Sequence, residues 1–168
     1  MEVGMIAYKF LDPGRVAPYT GVRWPEPGAW LDTEGVELCV SGVHACRVRD
    51  LPYWLRTELW EVELEGEVLE GERLVAARRG RLVRRIEAWN DAAAGAFGSS
   101  CAEEARRRAA GSPDLEEYAA DSQEAADRSP QFAAVAAARL AELQDGPAGY
   151  EAERERQARW LADTLALG

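Results

Sequence analysis

The composition of the chain changes sharply near Trp89. All but one of the valine residues, most of the aromatic residues and five of the eight prolines lie before or at that point, whereas the remainder is rich in Ala, Glu and Arg. β-Branched and aromatic residues favour strands, while Ala, Glu and Arg favour helices. The change therefore predicts an α+β protein, with a compact, mainly antiparallel β unit over residues 1–88 and a helical unit over residues 89–168.

Short apolar runs between turn residues predict the elements of the first unit. The expected strands include Met5–Phe10, Val36–Val40, Val43–Cys46 and Glu58–Glu65. The last of these alternates apolar and acidic residues, which is typical of a half-solvated strand. Residues 11–29 hold several prolines and glycines, so we expect an irregular loop there. In the second unit, Gly and Pro punctuation separates three or four helices, which we expect to pack on the β unit or to mediate association.

The formal net charge of −10 repels phosphates and anionic lipid headgroups. The charge therefore argues against nucleic acid as a partner. One local exception is a run of arginines between residues 73 and 85. This run forms either a solvated strand face or a binding strip for a phosphate or an acidic partner.

The sequence also predicts the compartment. No apolar run approaches the ~20 residues that a membrane span requires, and the first residues lack the pattern of a signal peptide. Three cysteines do not indicate a disulfide framework. We therefore expect a cytoplasmic protein with reduced thiols and no membrane partner.

The densest group of reactive residue types lies between Cys39 and Cys46. It reads Cys39-Val-Ser-Gly42-Val-His44-Ala-Cys46 and contains the only histidine of the chain. This segment resembles an uncharacterised bacterial and phage domain family that carries the pattern Cys-x-x-Gly-Phe-His-Ala-Cys, with Val in place of the usual Phe. Ala7-Tyr8-Lys9, the segment Leu51–Leu55 and the acidic strand that begins at Trp60 are similar to the same family. The resemblance covers about residues 5–90 and implies a bacterial or phage fold unit, without implying a reaction.

Three interpretations of this segment follow from its residue types. In the first, the cysteines and a neutral His44 build the β core. In the second, Cys39, His44, Cys46 and Cys101 form a zinc site, because three thiolates and an imidazole are a complete tetrahedral set. In the third, His44 is the base for a cysteine nucleophile. The structural interpretation is favoured, and no metal is expected.

A fourth interpretation rests on similarity to ADP-ribosyltransferase domains, in which a strand with a glycine step is followed by a helix and a strand that carries a glutamate. The resemblance implies that Glu61 or Glu63 would orient the nicotinamide ribose of NAD. It also implies that Tyr53 or His44 would stack on the base. His44, Glu61 and Tyr53 are then the candidate catalytic residues, and NAD is the cofactor only under this alternative.

Aromatic residues interleave with basic residues throughout the first unit. Such interleaving either fills a small core or lines a pocket for a planar or anionic ligand. The candidate ligand-binding residues are Lys9, Trp24, Trp60 and Arg47, and the loop over residues 13–28 is the expected lid. We therefore favour an accessory protein that binds a small molecule or a protein partner, and the helical half is a candidate for homo-oligomer formation. The alternative is an NAD-using transferase.

Overall fold

A computed structural model describes residues 4–168 and divides the chain into two compact units, with the boundary between Trp89 and Asn90. An antiparallel sheet of five strands precedes four helices among the described residues, which confirms the α+β prediction. The strands are β1 (Met5–Leu11), β2 (Leu31–Asp32), β3 (Val43–Ala45), β4 (Glu58–Glu70) and β5 (Val75–Arg85). A 3₁₀ helix covers Val48–Tyr53. The helices are α1 (Asp91–Ala109), α2 (Pro113–Ala125), α3 (Pro130–Asp145) and α4 (Pro147–Thr164).

The sheet of the first unit closes on itself. β4 pairs with β1 on one side and with β5 on the other, and the first residues of β5 pair with β3. Directly after β3, Cys46 pairs with Tyr8 of β1 through two backbone hydrogen bonds of 2.8 Å. The strands β1, β4, β5 and β3 therefore form a closed ring, and β2 pairs with β5 farther along that strand.

The interior of this ring is the core of the first unit. Side chains alternate along a strand, so every second residue of each strand points to the same face. Ala7 and Leu11 of β1 are completely buried, and they share one apolar cluster with the inward residues of the other strands. These partners include Val43, Ala45, Val62, Leu64, Val75, Ala77 and Leu82. Burial of this face drives closure, because it removes apolar area from water.

The arginines of β5 face the glutamates of β4. Arg81 lies 2.6 Å from Glu63, and Arg84 lies 3.0 Å from Glu61. Opposite charges at neighbouring cross-strand positions stabilise a sheet. The basic run noticed in the sequence is thus matched by carboxylates at these positions.

The predicted strand over Val36–Val40 is wrong. The segment forms a tight turn in which Glu37 and Ser41 exchange two backbone hydrogen bonds of 2.9 and 3.0 Å. Cys39 lies in this turn with a φ of 63°, a left-handed conformation that an extended strand cannot contain. Alternating apolar residues favoured an extended segment, but the hydrogen bonds of the turn determine the backbone here.

The helical unit is built from small residues around one polar cluster. Asn90 caps α1 by accepting a hydrogen bond of 3.0 Å from the backbone of Ala93. Alanines dominate the buried positions of α3, which allows close helix packing. Glu153 of α4 is buried, and its carboxylate accepts hydrogen bonds of 2.9 Å from Arg156 and Gln157. Among the helices of the described residues, none combines the length and the apolar character that a membrane crossing requires.

Candidate functional site

A cavity of about 660 Å³ opens in the first unit. In the described residues, backbone pairing between β1 and the segment after β3 is confined to Tyr8 and Cys46. Lys9 and Phe10 follow Tyr8, Val43 precedes Cys46 on the antiparallel segment, and all three line the cavity. The cavity therefore lies at the seam where the ring of strands closes.

The loop after β1 contributes a second wall. Ala17 and Trp24 are buried, and both line the cavity together with Leu31 of β2. At the mouth lie Tyr19 and Trp54, whose rings meet edge to face at 6.2 Å. Tyr19 is 73% exposed, so a large aromatic surface stands open beside the cavity. Ala17, Tyr19 and Trp24 of this wall belong to the loop over residues 13–28, which was the predicted lid.

His44 is held by the backbone on both ring nitrogens. The N–H of Cys39 donates to Nε2 over 3.0 Å, so Nδ1 carries the hydrogen and donates to the carbonyl of Gly42 over 3.2 Å. Burial and, to a lesser extent, the charge of Lys9 hold the pKa of His44 below its ordinary value, against the opposing hydrogen bond to Gly42. The ring is therefore neutral at pH 7, and its bonds fasten the turn that precedes β3.

Cys46 and Lys9 both lie at the seam, and the charge of each influences the pKa of the other. Burial is the main cause that raises the pKa of the Cys46 thiol to about 12. A thiol with such a pKa is a weak nucleophile, because the thiolate is the reactive form. Burial also lowers the pKa of Lys9 from its ordinary value of 10.5, and the nearby Cys46 opposes this shift.

The predicted ligand-binding residues separate into two groups. Lys9 and Trp24 line the cavity, whereas Trp60 and Arg47 are not among its lining residues. Trp60 belongs to the buried cluster inside the ring, and its Nε1 donates to Glu58 over 3.1 Å. Arg47 instead links the 3₁₀ helix to the segment after β4, because it donates to the buried Asp50 over 2.7 Å and to the carbonyl of Gly71 over 2.8 Å.

The residues implied for NAD chemistry are not brought together at the cavity. Among the described residues that line it, His44 is present, but Glu61, Glu63 and Tyr53 are absent. Glu61 and Glu63 form the ion pairs with β5 arginines given above. The ring of Tyr53 lies 3.9 Å from the guanidinium of Arg73.

The candidate zinc ligands fall in different surroundings. Cys39 is exposed and Cys46 is buried, while Cys101 lies in the helical unit with a pKa raised by burial to about 12. Within residues 4–168, no group of three or more His, Cys, Asp or Glu side chains is placed to hold a metal ion. The geometry thus gives the zinc interpretation no support.

Sequence reasoning did not single out several residues that line the cavity. These are mainly apolar and include Ala17, Leu31, Val40, Val43 and Leu74. Tyr19 and Trp54 are two of the aromatic residues that interleave with basic residues in the first unit, but nothing in the sequence predicts that both lie beside one cavity. The only local signal of a cavity was the high proportion of aromatic and apolar residues in a proline-rich loop, because a loop outside the core does not need them for packing.

Comparison of the chain with protein families, with characterised proteins and with solved structures finds no match. The resemblance to the bacterial and phage domain family therefore stays a prediction.

Proposed function

We propose that the first unit binds a mostly apolar small molecule in the cavity at the seam, and that the protein is a ligand-binding accessory protein. The observation that carries this proposal is the size and lining of the cavity. Its volume of about 660 Å³ lies in the range that small-molecule sites occupy. Its walls are aromatic and aliphatic, with Lys9 and His44 as its basic groups.

The open mouth supports the same proposal. Tyr19, Val22 and Val40 line the cavity and are 73%, 47% and 72% exposed. Apolar side chains that gather at one opening cost free energy in water, and a ligand that covers them recovers part of it. The proposed NAD alternative has no comparable support, because its carboxylates lie outside the cavity lining and the lining is largely apolar.

A neutral fluorescent probe tests the proposal directly. N-phenyl-1-naphthylamine is titrated into the purified chain, and we expect saturable binding of one probe per chain with a gain in fluorescence. Trp24 and Trp54 line the cavity, so their emission should change in the same titration. NAD is the comparison ligand, and we expect it to leave the Tm and the tryptophan emission unchanged.

A pair of matched variants locates the binding. Ala17→Leu adds a larger side chain at a lining position, whereas Ala29→Leu adds the same side chain at an exposed loop position outside the lining. We expect the first variant to weaken probe binding by at least about tenfold, or about 1.4 kcal/mol, and the second to leave it unchanged. Equal affinities in both variants, at unchanged Tm, would contradict the proposal.

A further inference from the structure

Lys9 occupies an inward position of β1. Its neighbours two residues away on either side, Ala7 and Leu11, are completely buried in the core of the ring. Alternation along the strand places the side chain of Lys9 on that same face. Its partner across the ladder is Trp60, which also belongs to the inner cluster. A lysine at such a position departs from the apolar pattern of the strand.

The amine of Lys9 makes no polar contact within residues 4–168. Among the described residues, no hydrogen bond or ion pair to its side-chain nitrogen is present, and no Asp or Glu lines the cavity that it faces. Lys9 is half-buried, and an ammonium that is shielded from water without a counter-ion is costly, so the environment shifts its equilibrium towards the neutral amine. The lowered pKa of Lys9 agrees with this conclusion. A neutral amine in an apolar site is a nucleophile.

The choice of lysine at this position is informative. The chain contains 20 Lys and Arg residues, of which Lys9 is the only lysine and the other 19 are arginines. A guanidinium stays protonated in proteins, whereas an ammonium loses its proton readily when it is buried. If position 9 served only to hold a positive charge, the residue used everywhere else in this chain would supply it. A primary amine differs in the chemistry it can perform.

We propose that Lys9 forms a reversible Schiff base with the aldehyde group of an apolar ligand in the cavity. This inference rests on the proposed function, since the ligand's apolar part would occupy the same space. The amine nitrogen attacks the carbonyl carbon, and the carbonyl oxygen takes up a proton. In the resulting carbinolamine the C–O bond breaks and the oxygen leaves as water. Both hydrogens of the amine nitrogen are thereby transferred to that water molecule. The products are one imine and one water molecule, with no oxidation or reduction.

The single lysine makes the test direct. The full chain is incubated with dodecanal and sodium cyanoborohydride, and the reduced adduct is located by peptide mass spectrometry. We expect one dodecyl group at Lys9, formed at least about tenfold faster than the propyl adduct from propanal, because the longer chain buries more apolar area. An excess of dodecan-1-ol should suppress the adduct at Lys9 and leave any adduct at the α-amine of the chain unchanged.

Two variants distinguish the reactivity of the Lys9 amine from its positive charge. Lys9→Arg keeps a cation that cannot form an imine, and Lys9→Met keeps a side chain of similar length without charge. We expect both to lose the adduct that dodecan-1-ol suppresses, with Tm and circular dichroism used to verify that they fold. If neither variant folds, the competition by dodecan-1-ol on the unaltered chain still tests the inference. Labelling of the α-amine alone, or labelling of Lys9 that dodecan-1-ol does not suppress, would overturn the inference.

The two proposals fail in different ways. If N-phenyl-1-naphthylamine binds at the cavity but dodecanal leaves Lys9 unlabelled, the Schiff base is excluded and the binding function stands. If neither the probe nor dodecan-1-ol binds, the proposed function itself fails. An adduct at Lys9 that the Ala17→Leu variant slows would support both proposals together.

Discussion

At the scale of single residues, His44 and Lys9 have opposite relations to their surroundings. His44 uses both ring nitrogens to hold backbone groups of the turn before β3. Lys9 lines the same cavity, and its amine has no polar partner in the part of the chain that the structure describes. The first arrangement is typical of a structural histidine, and the second is the basis of the reaction proposed for Lys9. Residue type alone could not separate the two, because histidine is more often the reactive residue of such a pair.

Removal of the His44 ring should destabilise the first unit in a pH-dependent way. His44→Ala removes the hydrogen bonds to the N–H of Cys39 and the carbonyl of Gly42, which water can partly replace, so we expect a loss of roughly 0.5–1.5 kcal/mol in the free energy of unfolding at pH 7.5. Burial lowers the pKa of His44 in the folded state below its ordinary value of 6.5. The unfolded chain therefore binds a proton more readily, and the wild type loses stability as pH falls below about 6.5.

Urea unfolding at pH 7.5 and pH 5 measures this effect. The difference in unfolding free energy between wild type and His44→Ala should narrow at pH 5, because the variant has no ring to protonate. The only histidine of the chain also gives one unambiguous NMR titration, which we expect to lie below 6.5. A titration at or above 6.5, or an equal difference at both pH values, would show that the ring is not held in its neutral form.

At the scale of elements, periodicity predicted strands well and turns poorly. β1 and the first part of β4 match the predicted strands closely. β4 continues to Glu70 although Gly66 interrupts the pattern, because the register shifts there and Gly66 adopts a φ of 89°. Val36–Val40 failed as a strand because hydrogen bonds of the turn determine its backbone. Apolar spacing reports which face is buried, and it contains little information on where a chain reverses.

Two glycines of α1 test the close packing of the helical unit. A β-carbon at Gly98 would collide with the backbone of Ala126, whereas one at Gly95 would meet nothing within 4 Å. We expect Gly98→Ala to lower the free energy of unfolding by roughly 1–3 kcal/mol through overpacking. Gly95→Ala should raise it by up to about 1 kcal/mol through helix propensity. Thermal and urea unfolding measure both, and equal effects of the two substitutions would exclude close packing at Gly98.

At the scale of the whole molecule, the net negative charge and the pairing of arginines with glutamates both oppose an interaction with phosphate groups. The net charge is −10, and arginines of β5 such as Arg81 and Arg84 face glutamates of β4. The chain forms two compact units, and each unit has its own buried core. An interaction with phosphate groups would have to overcome both the net charge and the existing ion pairs.

We therefore expect no binding to nucleic acid at physiological salt. Fluorescence anisotropy of a labelled DNA duplex and a labelled single strand, at about 150 mM salt, should remain unchanged up to high protein concentration. The same titration at low salt is the control for weak charge attraction. Saturable binding that disappears in the Arg81→Ala and Arg84→Ala variants would contradict this prediction and restore the basic run as a binding strip.

The sequence by itself determined the α+β class and the alternation that buries one face of β1 and β4, and it predicted Lys9 and Trp24 as ligand-binding residues, both of which line the cavity. These are local properties, since composition and period are contained in a few neighbouring residues. Only the tertiary structure decided that Cys46 pairs with Tyr8 to close the ring, that a cavity opens beside this pair, and that Lys9 lines it with no polar partner among the described residues. Such features depend on contacts between segments dozens of residues apart, and the same alternation is compatible with many strand pairings.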